Sequence, residues 1–241
     1  MQDGLYVALS SQVALEKRLV TIADNVANAN TVGFRATQVK FEDVVTGTGE
    51  RSVSFASAGD TYMSTNQGPL KQTGNPYDFA VRGDAWFAID TPAGQVMTRD
   101  GRFTMTEAGD LITLEGHRVL DAGGAPIQLN PRAGAPEASA DGMLRQDGNP
   151  AGALGLFSFT PGVNFQRYGN SGIVPEGQPQ AIVDRADVGI VQGYVEESNV
   201  EPVQEIMRLI QVQRAFDNIS ALMRDSESAI DDALRALGPT S

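Results

Sequence analysis

Cysteine does not occur in the 241-residue chain, which excludes disulfides, thiol nucleophiles and Cys-ligated metals. Histidine occurs once, as His117 beside a turn in Glu115-Gly116-His117-Arg118. A Ser-His-Asp triad would have to use that one imidazole, and no Gly-x-Ser-x-Gly elbow presents a serine to it. Lysine is confined to Lys17, Lys40 and Lys71, none of them in a Ser-x-x-Lys arrangement. With 18 Lys and Arg against 30 Asp and Glu the net charge is −12, and the missing basic runs argue against nucleic acid as a partner. Neither a Gly-x-x-x-x-Gly-Lys loop nor a Gly-x-Gly-x-x-Gly turn is present. No run of about 18 apolar residues exists to span a membrane. Met1-Gln2-Asp3-Gly4 lacks a basic n-region, and Ser10-Ser11-Gln12 interrupts the first apolar stretch, so a cleavable secretory signal is not expected. These absences point away from an enzyme and leave no cofactor, metal or small-molecule substrate to expect.

What is present is helical periodicity at both ends. Leu5, Ala8, Gln12, Leu15, Leu19, Ile22 and Val26 alternate in steps of three and four. The same steps run through Leu209, Val212, Phe216, Ile219, Met223, Ser226, Ile230, Ala233 and Leu237. Such stripes are the a and d positions of a coiled-coil seam, where each apolar knob needs a hole on a facing helix. Burying one large apolar side chain is worth about 1.5–3 kcal/mol, so six of them leave on the order of 10 kcal/mol unrealised on a lone helix. Each end therefore needs a partner. The first helix is expected to close in Asn28-Ala29-Asn30-Thr31-Val32-Gly33, residues that tolerate the left-handed conformation. The second is expected to be capped by Ser198 or Asn199, to accept Pro202 in its first turn and to stop at Gly238-Pro239.

Between the helices the pattern changes. Residues 34–75 are rich in Thr, Ser, Gly and Gln, and read as an extended connector with strands near Val39–Val45 and Val53–Ala56. From Pro76 to Ile190, turn signals such as Asp100-Gly101, Gly109-Asp110 and Asp147-Gly148 recur every eight to twelve residues between short apolar runs. That spacing is the mark of an antiparallel β domain. Asp141, Asp147 and Asn149 invite a calcium reading, yet the twelfth position from Asp141 is Gly152 rather than the required Glu. Hairpin turns account for them better. The acids Asp225, Glu227, Asp231 and Asp232 alternate with the apolar stripe and read as its wet face. The expected organisation is α+β: a coiled-coil helix over 1–33, a connector over 34–75, an antiparallel β domain over 76–190, and a connector with the C-terminal coiled-coil helix over 191–241.

Three sets of motifs then carry a resemblance. Asp24-Asn25-Val26-Ala27-Asn28-Ala29-Asn30-Thr31-Val32-Gly33-Phe34-Arg35 resembles the signature Asn-Asn-x-Ala-Asn-x-x-Thr-x-Gly-Phe-Lys/Arg of the flagellar axial proteins, the bacterial rod, hook and filament-junction family. Asp24 stands where Asn is usual. Thr73-Gly74-Asn75-Pro76-Tyr77-Asp78-Phe79, Thr98-Arg99-Asp100-Gly101-Arg102-Phe103 and Gly109-Asp110-Leu111-Ile112-Thr113 resemble its middle domain, in the expected order. Glu197-Ser198-Asn199-Val200 and Gln213-Arg214-Ala215-Phe216 resemble its C-terminal motif, with Phe216 where Tyr is common.

The resemblance covers most of the chain and implies a structural subunit of the flagellar basal-body rod. A single middle domain fits the proximal rod, with the slightly longer distal rod protein as the alternative. It also implies export through the flagellar type III apparatus, assembly in the periplasm with other rod subunits, and pairing of the terminal helices into an inner layer that transmits torque. Subunit contacts are then expected from Leu5, Leu15, Leu19, Ile22 and Val26 on the first seam, and from Leu209, Val212, Phe216, Ile219, Met223 and Ile230 on the second. Asn25, Asn28 and Asn30 could cap exposed backbone or bond to neighbours. Gly33 permits the exit after the helix, with Phe34 beside it, while Gln213 and Arg214 flank the second seam. Rival readings are a secreted β-domain binding module with dimerising helices and a cell-wall hydrolase; the hydrolase needs an acid/base pair that the sequence does not show.

Overall fold

A computed structural model describes residues 2–46, 53–57, 59–183 and 185–237. The fold is α+β, with one helix at each end and antiparallel strands between. The chain divides into two compact units, the first made of Met1–Ala27, Thr37–Thr61 and Glu201–Ser241, the second of Asn28–Ala36 and Tyr62–Val200.

The first unit is built on two helices. Helix α1 is Gln2–Ala27 and helix α2 is Pro202–Leu237, with 26 and 36 residues. At 1.5 Å per residue they are about 39 and 54 Å long. They pack against each other, and Asn25 near the end of α1 reaches Glu205 in the first turn of α2 at 3.5 Å, which sets them antiparallel. A hairpin of Asp43–Thr46 with Val53–Ala56 joins this unit, its second strand lying along α1.

The start of α2 departs from the sequence expectation. Pro202 is the first helical residue, so Glu201 occupies the capping position. Pro202 suits it because a first-turn residue needs no N–H. Ser198 and Asn199 are engaged before the helix begins: Ser198 Oγ accepts from the Val200 amide at 3.2 Å, and Asn199 Oδ1 accepts from the Ala36 amide at 2.7 Å.

The second unit centres on a seven-stranded antiparallel sheet. In spatial order its strands are Gln166–Tyr168, Gly172–Val174, Gly94–Thr98, Phe87–Thr91, Arg118–Val119, Leu111–Thr113 and Phe103–Met105. Two smaller pairings bring chain-distant segments together, Phe79–Arg82 with Gly189–Gln192 and Leu70–Gln72 with Tyr194–Glu196. Short apolar runs fill one core with Phe79, Phe87, Val96, Phe103, Leu111 and Leu144. A second, smaller cluster gathers Met63, Trp86, Met97, Phe157 and Ile173. The Asp-Gly pairs make turns. Asp147 and Gly148 take φ of 50° and 78°, the two left-handed positions of a tight hairpin, while Asp141 Oδ1 accepts from the Met143 amide at 3.1 Å.

Candidate assembly surface and the motif junction

The first helical stripe supplies the covered face of the helical unit. Ile22 and Val212 are buried, and Leu15, Leu19, Val26, Leu209, Phe216, Ile219 and Met223 are half-buried. Leu5 and Ile230 lie in the two helices, with side chains outside the described ones. Ala14, absent from the expected seam, is buried as well; a methyl group at that position lets the partner approach closely. Gln213 and Arg214 are exposed on α2.

A second apolar set is left uncovered. On α1 it is Tyr6, Leu9, Val13 and Val20, and on α2 it is Val203, Ile206, Met207, Ile210 and Leu222. The α1 residues again step by three, four and seven, one position off the first stripe. Val20 remains 64% exposed and Val203 72%. Scattered apolar residues on a surface carry no message, but a periodic row of them marks an interaction face. Two helices facing each other can cover only one stripe apiece, so the second row is a consequence of having two.

Asn25 is engaged within the unit. Its Nδ2 donates to the Thr37 carbonyl at 2.8 Å and its Oδ1 accepts from the Thr37 amide at 2.9 Å. This reciprocal pair does for Thr37 what a strand neighbour would do, tying the chain's return to the end of α1. Glu205, also buried, pairs with Arg208. Lys17 donates to the Gly59 carbonyl, a further tie inside the same unit.

The rest of the signature lies in the second unit and forms a junction of three sequence-distant motifs. Asn28 accepts a bond from the Thr31 hydroxyl at 3.1 Å, while Asn30 is exposed in the turn. Gly33 has φ +71°, and a Cβ there would stand 2.3 Å from the Asp100 nitrogen. Phe34 is buried, its ring covered by the Arg167 guanidinium at 4.3 Å. Arg167 also donates to the Arg35 carbonyl at 2.6 Å. From the C-terminal motif, Asn199 donates to the Asn66 carbonyl at 2.7 Å.

At the centre sits a cluster of charges. Glu196 is 1% exposed, Arg35 3% and Arg99 0%. Glu196 Oε1 accepts from Arg35 Nη2 at 3.1 Å, and Oε2 accepts from Arg99 Nε at 2.7 Å. The Gly68 amide donates to Oε1 as well, at 3.1 Å. Arg99 further donates to the carbonyls of Gly83 and Ala85, and Arg35 to that of Thr65. Both guanidinium groups stand over the Trp86 ring, at 5.4 and 5.8 Å from its centroid. Burial pulls the Arg99 guanidinium down to about 10, with the Glu196 carboxylate opposing that shift and the Arg35 charge adding to it. Removing one partner of such a buried group costs about 3–5 kcal/mol, because the remaining charge is stranded.

The motifs contain Arg99 without giving it a role, and nothing in the sequence pattern gives Glu196, Arg167 or Trp86 a part in an ion cluster. A periodicity argument has no sight of them, since each is a single polar or aromatic residue at a strand end or in a short strand. The available signal was the recurrence of charged positions inside motifs that also hold an obligatory glycine.

His117 is half-buried and its Nε2 lies 3.3 Å from the Tyr168 hydroxyl. The two rings line a cavity of about 200 Å³ together with Thr98, Asp100, Arg102 and Ser171. Within it Arg102 pairs with Asp100 at 2.6 Å. No group of three or more acidic or imidazole side chains able to hold a metal exists among the described residues. No described helix is long and apolar enough to cross a membrane.

Known protein families match the segments that hold the helices and the junction motifs. A model of the flagella basal body rod proteins matches residues 5–35. The D1 domain of the flagellar hook protein FlgE/F/G matches 80–146, and the C-terminal region of the basal body rod FlgEFG proteins matches 191–236. The chain is 68% identical to the flagellar basal-body rod protein FlgF of Mesorhizobium japonicum, with the whole of both chains covered. It is 57% identical to FlgF of Rhizobium meliloti and 35% identical to FlgF of Caulobacter vibrioides, with 99% of each chain covered in both cases. With its signature, middle-domain and C-terminal motifs all matched in order, the chain belongs to the FlgF family of flagellar basal-body rod proteins.

Proposed function

We propose that this structural subunit of the flagellar basal-body rod joins its neighbours through the terminal helices, which pair as a coiled coil and pack into the inner layer of a helical tube in the proximal rod. Membership of the rod family makes the chain a motility protein that assembles with other rod subunits, and not an enzyme. The single observation behind the assembly mode is the uncovered apolar row on α1 and α2. Each exposed Val or Leu on it offers about 1.5–3 kcal/mol to a neighbour that covers it. Interfaces of this head-to-tail kind repeat without closing and so generate a helical tube. Torque is then shared over many packed side chains.

In this reading the unit of Met1–Ala27, Thr37–Thr61 and Glu201–Ser241 is the assembly module, and the β-rich unit of Asn28–Ala36 and Tyr62–Val200 is the outward domain. Leu5, Leu15, Leu19, Ile22, Val26, Leu209, Val212, Phe216, Ile219, Met223 and Ile230 hold the coiled coil together. Gln213 and Arg214, exposed beside that seam, bond across to the next subunit. The subunit leaves the cytoplasm through the flagellar type III apparatus and assembles in the periplasm.

Val13→Asp and Val20→Asp test the assembly face, because both positions are exposed and a carboxylate there leaves the monomer intact. The expected result is unchanged circular dichroism and unchanged export, with swimming lost. Normal swimming by both variants would remove the uncovered row from the interface.

A further inference from the structure

The charge cluster in the second unit draws its parts from opposite ends of the chain. Two arginines, Arg35 and Arg99, are supplied early, and the carboxylate that neutralises them comes from Glu196. We propose that the Arg35–Glu196–Arg99 cluster is a folding lock, which keeps the second unit open until the C-terminal segment arrives and then closes it in one cooperative step.

The argument rests on what burial requires. A core containing Arg35 and Arg99 without Glu196 would hold two like charges out of water, side by side over one indole. A buried charge is tolerated only when paired and hydrogen-bonded. Asp100 pairs instead with Arg102, Asp78 accepts from Asn75 at 3.0 Å, and Glu197 pairs with Lys71. Asp84 borders the small cavity beside Arg35 and Trp86 but is exposed, so it is the one local rival for Glu196.

Glu196 also closes the unit through its backbone. Its carbonyl accepts from the Gly33 amide at 2.7 Å, and its strand Tyr194–Glu196 pairs with Leu70–Gln72. One late residue therefore completes an ion cluster, a strand pair and the turn that follows α1. For a chain threaded N-terminus first, the lock would hold the β-rich unit unfolded during passage. That use rests on the export reading above; the lock itself does not.

Trp86, the single tryptophan, lies against both guanidinium groups, so its fluorescence reports closure directly. The test is stopped-flow refolding and unfolding of the full chain, comparing wild type with Glu196→Gln, which keeps the shape and removes the charge. Refolding is expected to slow about tenfold or more while unfolding changes less than about threefold, the pattern of a contact formed in the transition state. Adding Arg35→Met and Arg99→Met to Glu196→Gln is expected to restore refolding to within about threefold of wild type, since the stranded charges are gone. If Glu196→Gln does not fold, recovery of folding by the triple variant supports the lock equally. The proposal is overturned if Glu196→Gln refolds at the wild-type rate, if the triple variant is as slow or as unfolded as the single one, or if Asp84→Asn slows refolding as much. Secretion assays on Glu196→Gln bear only on the use during export, so failure of that reading is told apart from failure of the lock.

Discussion

The Gly33 amide donates to the carbonyl of Glu196 at 2.7 Å, so the turn after the first helix and the segment before the second are joined within one unit. The join leaves no room for a side chain at Gly33, where φ is +71° and a Cβ would meet the Asp100 nitrogen at 2.3 Å. Left-handed strain on a non-glycine residue and a backbone collision add together. Gly33→Ala is expected to lower stability by about 3 kcal/mol or more, read from urea unfolding followed by Trp86 fluorescence. A loss below about 1 kcal/mol would mean that the turn relaxes easily.

Asn25 carries a different load. Its side-chain amide both donates to and accepts from the Thr37 backbone, so Asn25→Ala removes two hydrogen bonds at a buried position. The expected cost is about 2 kcal/mol, confined to the helical unit. Hydrogen exchange at the Thr37 amide should speed up by at least about tenfold, whereas the Trp86 signal should unfold at the same urea concentration as wild type. Asn25→Asp keeps the acceptor for the Thr37 amide but sets a buried carboxylate against the Thr37 carbonyl and the Glu205 carboxylate, so it should destabilise the helical unit at least as much as Asn25→Ala.

Arg167 covers the Phe34 ring at 4.3 Å and bonds to the Arg35 carbonyl. Stacking of a cation on an aromatic face is worth about 0.5–2 kcal/mol. Arg167→Ala should therefore destabilise the second unit by about 1–2 kcal/mol, and Arg167→Lys should recover less than half of that. A planar fork stacks and donates at once, and an ammonium does not. Equal stability of the Lys variant and wild type would assign Arg167 a merely electrostatic role.

The sign of the pH dependence at Arg99 follows from its burial. Desolvation pulls it to about 10 in the folded chain, below its ordinary value, so above pH 10 the unfolded state binds more protons than the folded one. Stability contributed by this group then rises with pH in that window, and is constant below about pH 9. The difference in unfolding free energy between wild type and Arg99→Met should accordingly be flat from pH 6 to 9 and grow in favour of wild type above about pH 10. A slope between pH 6 and 9 in that difference would show that another group titrates against Arg99.

Sequence alone determined the helices and the kind of middle domain. Seven-residue periodicity is a local property, and it separated the covered row, with Ile22 and Val212, from the wet face. Turn chemistry is equally local, which is why Asp147-Gly148 could be read as a hairpin. The motifs at Asp24–Arg35, Thr98–Phe103 and Glu197–Val200 are likewise enough to mark the chain as resembling the rod and hook proteins. What tertiary structure decided is how the motif residues act. Asn25 turned inward to Thr37, and Ser198 and Asn199 were drawn away from the helix cap by Val200 and Ala36. The charge cluster depended on tertiary structure altogether, since Arg35, Arg99 and Glu196 meet only when three distant segments fold together. Spacing along a chain encodes which face a residue takes on its own element, but pairing of buried charges is a contact between elements, and it exists only once the chain has closed around them.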